Sequence, residues 1–518
     1  MSRPEDTQQT TLPAVSPNSP KSTNASSSQN FMSGTFWVFI AEALMFPTGL
    51  VTAGILTRNL GQDGYGVLTL VSVLVSWVEW TITSIFARTA VKFVSDAEDW
   101  RPVGSVIAQL HFLIGMAAAL VLCIFAEPIA RLLDVPDFVG YLRLFAWDIP
   151  IFCLAYAHRQ ILVGRGLFQV RAIASAARWV MRLAIIAALV EYANWSIEGA
   201  IIGSLGASVV ELVIARWFAR PPLLQKSSFA PQRLFGYALP LFLFATSLRL
   251  FDKLDLFMLK ILGGTVAQAG VYGAAQNLAF VPGIFALSFS PLLLSTLNST
   301  LRSGELATAK LIGANAVRAV IALLPFAALA AAGAVPIVSI IYGEAFSVAG
   351  PVLGVLMFGA MGLVMISVVT AILTAAGRPN VTAALVAPML PVSAVGYWLF
   401  VPDYGAMGAC WVNAGTAGLG AIAALIVLYK IWRISVPVST VVRSALVGSV
   451  VYAIGIRWIT PDPSFLLKLL LLSALIPILL ICLGELNRSE QRFVRALVSE
   501  QKWVSRLVLS VSKWLRVK

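Results

Sequence analysis

The stretch Gly54-Ile-Leu-Thr-Arg-Asn-Leu-Gly-Gln-Asp-Gly-Tyr-Gly-Val-Leu-Thr-Leu70 joins two long apolar segments through a short polar turn. A similar hairpin occurs later in the chain, in Leu259-Lys-Ile-Leu-Gly-Gly-Thr-Val-Ala-Gln-Ala-Gly-Val-Tyr-Gly273. Aligning Tyr65 with Tyr272 gives an offset of 207 residues. A hairpin that occurs twice at the same place relative to its apolar segments predicts an internal repeat.

Further segment pairs recur at nearly the same offset. They are 127–133 with 335–341, 161–166 with 372–377, and 197–200 with 406–409. Because the matches come in the same order, they predict two copies of one six-helix unit. Six is an even number, so both copies start on the same side of a membrane, which is the parallel kind of repeat found in transporters that rock two halves about a central cavity.

The composition indicates a protein that spans a membrane many times. Apolar residues make up 59% of the 518 residues and charged residues only 12%, whereas a soluble domain carries about 25% charged residues. Mean hydropathy is +0.86. The four cysteines form no CxxC pair, and the two histidines lie on different apolar segments. We therefore expect no metal site, no disulfide framework and no catalytic residues.

Fourteen apolar segments are long enough to cross a bilayer, for which about 20 residues suffice. These predicted spans are 33–57, 66–92, 103–126, 141–163, 170–190, 197–218, 235–261, 270–298, 307–332, 347–375, 380–400, 405–429, 436–457 and 464–484. The predicted fold is an all-α polytopic membrane protein with two pseudo-symmetric six-helix lobes and two extra C-terminal helices. The expected units are a disordered tail (1–30), an N-lobe (31–220), a C-lobe (221–432), spans 13 and 14 (433–485), and a basic amphipathic helix (486–518).

Lys and Arg concentrate in the connections that follow even-numbered spans. Positive charge favours the cytoplasmic side, so both termini are predicted to be cytoplasmic. The formal net charge of +13 is explained by these loops and the C-terminal segment, which face anionic lipids. We expect no nucleic-acid partner.

The hairpin residues quoted above resemble the polysaccharide-export branch, which includes O-antigen flippases, of the multidrug/oligosaccharidyl-lipid/polysaccharide (MOP) superfamily. The segment 255–263 that leads to Gly-Val-Tyr-Gly-Ala-Ala-Gln-Asn277 is similar to that branch, as is the turn Gly377-Arg-Pro-Asn380. The resemblance covers residues 31–430. It implies a MATE-like fold in the bacterial inner membrane and a flippase that moves an undecaprenyl-pyrophosphate-linked oligosaccharide between leaflets for surface polysaccharide biosynthesis. A polysaccharide polymerase is a further candidate partner.

Span 7 carries the sequence Arg249-Leu-Phe-Asp252-Lys253-Leu-Asp255. A charged residue at the centre of a membrane helix costs about 2.5–3.5 kcal/mol on insertion scales, so this face needs a polar cavity or partners. Spacings of three and four place these side chains next to one another. Two interpretations remain open. The charges form an ion-pair ladder between lobes, or Arg249 and Lys253 attract pyrophosphate while Asp252 and Asp255 serve H⁺ or Na⁺ coupling.

Other buried charges are expected in the N-lobe. Glu42 and Glu79 are candidates for coupling or for pairing between lobes, and Arg178 and Arg182 lie one turn apart on one face of span 5. That arginine pair either receives an anionic headgroup or anchors the helix at the cytoplasmic surface. Arg88 either lines the cytoplasmic mouth or extends to the interface.

The C-lobe is predicted to hold few charges inside the membrane. Its polar candidates are Gln276, Asn277 and Asn413. The C-terminal segment 486–518 has apolar residues at helical spacing and an excess of Lys and Arg, which is typical of a helix lying on an anionic leaflet. Docking of another protein is the alternative for that segment.

The predicted function is alternating-access transport of a lipid-linked saccharide. An ion-coupled multidrug exporter and a lipid II flippase are the alternatives with the same fold. No glycine-rich nucleotide loop is present, so direct ATP hydrolysis is not expected. A membrane glycosyltransferase needs a large catalytic loop, and the predicted outer loops are too short to hold one.

Overall fold

The structure is a computed structural model that describes residues 37–38, 40–222, 254–462 and 464–485. The side chains of residues 87, 88, 287 and 379 are not described. All regular structure in this part of the chain is helical. The helices are α1 Met45–Asp96, α2 Trp100–Leu133, α3 Phe138–Ala146, α4 Asp148–Gly164, α5 Phe168–Ile186, α6 Ile197–Phe218, α7 254–261, α8 Val266–Ala279, α9 Val281–Arg302, α10 Leu306–Ala322, α11 Leu324–Ala332, α12 Ala334–Tyr342, α13 Ala349–Ala375, α14 Pro379–Val386, α15 Met389–Trp432, α16 Val438–Trp458 and α17 Phe465–Cys482.

Eleven helices in the described ranges are long and apolar enough to cross a membrane. Two of these, Ile40–Asp96 and Asn380–Trp432, contain non-helical glycines, Gly61 and Gly405, and therefore consist of two segments each. The seventh predicted span is described only from residue 254 onward. The all-helical membrane architecture is confirmed, while the number fourteen stays a prediction.

The hairpin that opens each half depends on a glycine with left-handed backbone geometry. Gly61 has φ 66° and Gly263 has φ 102°, values that a residue with a side chain rarely adopts. The next helix of the second hairpin, α8, begins with a capping box in which Thr265 and Gln268 satisfy each other's backbone amides. These local signals reverse the chain direction at the edge of the membrane.

The two halves also share a helix ending. Gly166 and Gly377 both have φ 73°, and each follows a helix whose last carbonyls are bonded in the same way. The Leu167 amide donates to the Leu162 carbonyl at 2.8 Å, and the Arg378 amide donates to the Leu373 carbonyl at 3.0 Å. This is the six-to-one bond of a Schellman ending, and its recurrence matches the repeat that the sequence predicts.

We call α1–α6 the N-lobe and α7–α15 the C-lobe. Hydrogen bonds join the lobes at the side of the molecule that carries the Gly61 turn, which we call the Gly61 end. The Arg58 guanidinium donates to the Ile340 carbonyl at 2.7 Å. Close by, the Gln62 amide donates to the Ala345 carbonyl. These two hydrogen bonds use backbone carbonyls of the C-lobe as acceptors.

Small residues let the lobes approach closely at this end. A Cβ on Gly54 would lie 2.7 Å from the Ile341 carbonyl oxygen, and a Cβ on Gly66 would collide with the Val266 carbonyl. Close backbone approach through small residues is the usual way in which membrane helices associate. The Gly61 end is therefore sealed by backbone packing.

The last two helices, α16 and α17, pack on the outside of the C-lobe. Val447 and Phe465 form an apolar cluster with Leu329 of α11. At the end of α17, the buried Glu485 carboxylate receives the Thr440 hydroxyl at 2.6 Å and lies 3.0 Å from the Arg443 guanidinium. These contacts fix the pair of helices at one site on the lobe.

Candidate functional site

Charged side chains from four helices meet inside the N-lobe. We call this group the N-lobe cluster. Its members are Glu79 of α1, Asp148 and Arg159 of α4, Arg178 and Arg182 of α5, and Glu211 of α6. Burying so many ionisable groups in an apolar surrounding is costly unless each finds a partner, so the partners determine what the cluster can do.

Glu211 is the acidic member of the cluster that lies in ion pairs with arginines. Its side chain is 0% exposed and lies 3.1 Å from the Arg159 guanidinium and 3.5 Å from Arg178. The faces of Tyr156 and Phe152 cover the two guanidinium groups at 4.7 and 4.3 Å from the ring centroids. Carboxylate and aromatic faces together stabilise these cations in a dry site, and they join α4, α5 and α6.

Glu79 and Asp148 form the second part of the cluster. Each carboxyl group lies within electrostatic range of the other, and the Ser208 hydroxyl lies beside Asp148. Both residues are buried, at 5% and 2% exposure. One oxygen of each, Glu79 Oε1 and Asp148 Oδ1, has no hydrogen-bond donor. This pair differs from Glu211 because no arginine contacts it directly.

Arg182 lies at the seam between the lobes. It is within electrostatic range of Glu79, Asp148 and the Tyr65 phenol, and Tyr65 accepts a hydrogen bond of 3.1 Å from the Asn277 amide of the C-lobe. Arg182 is partly exposed, while its Nε is buried without a hydrogen-bond acceptor. An arginine with spare donors beside an interlobe contact is suited to bind an anion.

The beginning of α5 carries another ion pair. The Arg171 guanidinium lies 2.9 Å from the Glu42 carboxylate, whose side chain is 39% exposed. Both residues belong to the N-lobe half of the chain, so this pair joins two helices of one half. Its partial exposure places it at the edge of the N-lobe interior.

The C-lobe has its own buried carboxylate, Asp255, with 0% exposure. Its Oδ2 accepts the Tyr272 hydroxyl at 2.7 Å, the Gln276 amide at 2.9 Å and the Asn413 amide at 2.9 Å. Its Oδ1 accepts its neighbour's backbone amide, that of Leu256, at 2.8 Å. The site thus gathers donors from α8 and α15 around one carboxyl group.

Residues 55–351 match the family described as polysaccharide biosynthesis protein, and this range is more than half of the chain. The chain belongs to this family of polysaccharide biosynthesis proteins. The match confirms the resemblance deduced from the hairpin residues. A curated relative, the succinoglycan biosynthesis transport protein ExoT of Rhizobium meliloti (strain 1021), is 25% identical over 333 residues, which are 62% of this chain and 64% of the relative. The matched part is thus less than two thirds of either protein.

Solved structures place this polysaccharide biosynthesis protein in the MOP fold. The lipid II flippase MurJ in an inward closed conformation gives a TM-score of 0.66 at 15% identity, covering 85% of this chain and 97% of that chain. A point mutant of the Vibrio cholerae MATE transporter VcmN gives 0.57 at 15%, covering 79% and 98%. A MOP superfamily transporter from Pyrococcus furiosus gives 0.54 at 13%, covering 78% and 96%. At these identities the likeness concerns the fold, and these neighbours are transporters or flippases by their descriptions.

The structure shows the position of several site residues that the sequence of this polysaccharide biosynthesis protein predicts. Glu79, Arg178 and Arg182 meet in the N-lobe cluster, and Asp255 lies in the C-lobe site. Four further candidates cannot be located. Arg249, Asp252 and Lys253 lie outside the described residues, and so does the side chain of Arg88. The N-terminal tail and the C-terminal segment 486–518 lie outside them as well.

Sequence reasoning missed Asp148 and Glu211, and it counted Arg159 among the cations of the connections, although this residue lies inside the predicted span 141–163. Arg159 is 7% exposed inside the N-lobe, on the part of α4 that precedes its end at Gly164. The signal for Glu211 was present, since an isolated acid in the apolar run Val-Val-Glu-Leu-Val has to find a buried cation. Asp148 lies inside the predicted span 141–163, and the same argument applies to it.

Proposed function

We propose that this protein moves a polyprenyl-pyrophosphate-linked oligosaccharide across the bacterial inner membrane by alternating access. The observation that carries the proposal is the position of Arg182, a half-buried guanidinium with an unpartnered Nε at the seam between the lobes. An arginine presents paired donors that match phosphate oxygens. The saccharide would pass between the lobes while the polyprenyl tail stays in the lipid.

Family membership supports a role in polysaccharide biosynthesis, and the name of the relative ExoT supports transport. The alternative of an exporter for small cationic drugs finds less support. A cation would meet Arg182 from α5 in the N-lobe, and like charges repel strongly at low dielectric. An anionic pyrophosphate headgroup suits this surface.

The distribution of Lys and Arg supports an orientation with both termini in the cytoplasm. In that orientation the Gly61 end faces the periplasm. The interlobe contacts of Arg58 and Gln62 then close the outer side, and a lipid-linked substrate would enter from the cytoplasmic leaflet. Opening of the outer side requires these contacts to separate.

Coupling to H⁺ or Na⁺ is a second part of the proposal. Asp255 with its polar ring and the N-lobe carboxyl groups are the candidates. Arg249 and Lys253, next to Asp255 in the sequence, would add positive charge for the headgroup. We further propose that segment 486–518 contacts anionic lipids and that a polysaccharide polymerase is a partner.

The test uses a strain that lacks the chromosomal gene and carries variants on a plasmid. Arg182→Gln is compared with Arg131→Gln, which alters a surface arginine whose side chain is 81% exposed. We expect Arg182→Gln to accumulate lipid-linked oligosaccharide inside and to lose surface polysaccharide, while Arg131→Gln resembles the wild type. Arg249→Ala is expected to abolish export as well, with the protein still inserted in the membrane.

Drug sensitivity is measured in the same strains. Deletion of the gene could make cells sensitive to cationic drugs and leave surface polysaccharide normal. That result would refute the proposal and favour the multidrug exporter. Normal export by Arg182→Gln would remove this arginine from the substrate path. Immunoblots of membrane fractions confirm that each variant is present at the wild-type level.

A further inference from the structure

We propose that a pocket at the Gly61 end binds one uncharged sugar ring of the exported saccharide; the identity of that saccharide rests on the proposed function. The pocket lies between the lobes, with Gln62 on the N-lobe side and Gln268 and Tyr404 on the C-lobe side. Its residues lie in or beside the turns that follow the predicted spans 1, 7, 9 and 11. Turns after odd-numbered spans share one side of the membrane, so the pocket opens at the outer face in the orientation given above.

The two glutamine amides of the pocket offer opposite hydrogen-bonding groups. The Gln62 Nε2 donates to the Ala345 carbonyl, which leaves the Gln62 Oε1 as an acceptor. The Gln268 Oε1 accepts the Thr265 backbone amide at 3.2 Å, which leaves the Gln268 Nε2 as a donor. No described residue forms a hydrogen bond to either remaining group. A hydroxyl both donates and accepts, so the two amides together match the hydroxyl groups of a sugar.

Tyr404 supplies an aromatic face beside these amides. Its ring centroid lies 5.1 Å from that of Trp411 and 6.4 Å from that of Phe400, yet the residue is 53% exposed. The neighbouring rings therefore support Tyr404 and leave much of its surface open. The face of an aromatic ring is electron-rich, and it attracts the weakly positive C–H groups of a sugar ring. The ring is thus suited to the apolar face of a sugar whose hydroxyl groups meet the amides.

One glycine sets the distance between the amide and the aromatic wall. Gly405 has φ 53°, and a Cβ there would lie 2.9 Å from the Gln268 Nε2. Any side chain at this position would displace the Gln268 amide. Because Gly405 directly follows Tyr404 in the chain, the same residue positions the free donor and the ring.

The size and the lining of the pocket select a small neutral ligand. Its volume is about 250 Å³, whereas drug-sized ligands occupy pockets of about 300–1,000 Å³, so it has room for one ring and not for an oligosaccharide. Among the described residues that line it, none is charged. The sequence neighbours Asp63 and Asp403 are exposed acids, and the Arg58 guanidinium donates to the Ile340 carbonyl. The lining therefore offers a pyrophosphate group no cation.

The pocket has walls from both lobes, and this gives its ligand a conformational effect. Gln62 moves with the N-lobe and Gln268 with the C-lobe, so the pocket is complete only while the outer side is closed. A ligand that binds one conformation better shifts the population toward it. A bound sugar therefore favours the form that is closed to the outside, and saccharide that accumulates outside would slow its own export.

The test asks whether saccharide protects a cysteine in the pocket. The purified full-length protein, without its four native cysteines and in lipid nanodiscs, carries Val348→Cys at an exposed position of the lining. The probe is the oligosaccharide obtained by hydrolysis of the host cell's own surface polysaccharide. We expect it to slow labelling of this cysteine by a water-soluble maleimide. Labelling of Glu198→Cys, at an exposed position of α6, should stay unchanged.

Two variants probe the polar and the aromatic wall. Gln268→Glu keeps an oxygen for the Thr265 amide, so the cap of α8 is retained, but it removes the free donor. Tyr404→Ala removes the ring, and its control Tyr192→Ala alters an aromatic residue of the N-lobe that is 81% exposed. Protection should be lost in Gln268→Glu and in Tyr404→Ala, and it should be kept in Tyr192→Ala.

Labelling of Val348→Cys that the oligosaccharide does not slow would overturn the proposal. Protection that survives in either folded variant would overturn it as well, and if one variant does not fold, the other alone decides. Equal protection by 1-octanol would show that an apolar ligand fills the pocket without recognition of hydroxyl groups, which has the same consequence.

Failure of the pocket and failure of the proposed function give different results. A wild-type protein that restores export in the deletion strain but shows no protection would refute the sugar pocket alone. A deletion strain with normal surface polysaccharide would refute the proposed function, whatever the labelling shows.

Discussion

Removing the carboxylate of Glu211 should destabilise the protein far more than removing an equivalent carboxylate at the surface. Glu211→Ala leaves Arg159 and Arg178 without their anion, and these side chains are 8% and 13% exposed. Breaking a buried ion pair by deleting one partner costs about 3–5 kcal/mol, because the remaining charge is left uncompensated. The loss should fall at the upper part of that range, since two cations lose their partner.

The chain offers a matched control in Glu127. It also lies between two arginines, 3.5 Å from Arg131 and 3.4 Å from Arg143, but its side chain is 54% exposed. Surface pairs contribute about 0.2–1 kcal/mol, so Glu127→Ala should have a small effect. The same chemical change is thus made at two sites that differ in burial.

The free energy of unfolding is measured by equilibrium titration with a denaturing detergent in mixed micelles. An equal loss of unfolding free energy in Glu211→Ala and Glu127→Ala would refute the reasoning that burial decides how much these ion pairs stabilise the protein.

A second variant checks the cause. Glu211→Leu combined with Arg159→Met replaces charges by apolar groups and should recover part of the stability, as such replacements often do.

Two further predictions concern the Gly61 end and the turn before α17. Gly66→Ala places a methyl group against the Val266 carbonyl and should open the seal, whereas Gly49→Ala, where the added Cβ meets nothing within 4 Å, should not. The assay uses a protein without its four native cysteines that carries Thr69→Cys, and a membrane-impermeant maleimide labels this cysteine. Labelling should rise in Gly66→Ala and stay unchanged in Gly49→Ala. Equal labelling of both variants would contradict the seal. In the turn, a hydrogen bond of 2.6 Å from Lys468 holds the pKa of the Asp462 carboxyl well below its usual range. Because the folded-state pKa is lowered, the stabilising effect is complete above the ordinary carboxyl pKa of about 3.9 and is lost as the pH falls through the folded value. The stability difference between wild type and Asp462→Asn should be constant near neutral pH and vanish in strong acid, and a difference that persists there would be inconsistent with this pair.

Local signals made much of the fold predictable. The glycines of 54–70 and 259–273 marked the hairpins, and the alignment of 161–166 with 372–377 corresponds to a shared helix ending in the structure. Hydropathy does not show which charges within a span face inward, and Arg159, inside the predicted span 141–163, was therefore counted with the cations of the connections. The lengths of apolar runs carry no information about which helices become neighbours.

The site was predictable only in part for the same reason. Helical spacing placed Arg178 and Arg182 on one face, because both lie on one helix. Asp148 and Glu211 reach them from other helices, and periodicity within one helix says nothing of such contacts. In the C-lobe, Gln276 and Asn413 were named as isolated polar residues, and only the tertiary structure brings both to Asp255.

The seal at the Gly61 end has a consequence for how ionic strength affects the protein. In the part of the chain that the structure describes, the lobes meet there through glycine–carbonyl packing and through donors to neutral carbonyl groups. Dissolved salt screens pairs of opposite charges and leaves dispersion contacts almost unchanged. The seal should thus be nearly equally strong in dilute and in concentrated salt solution.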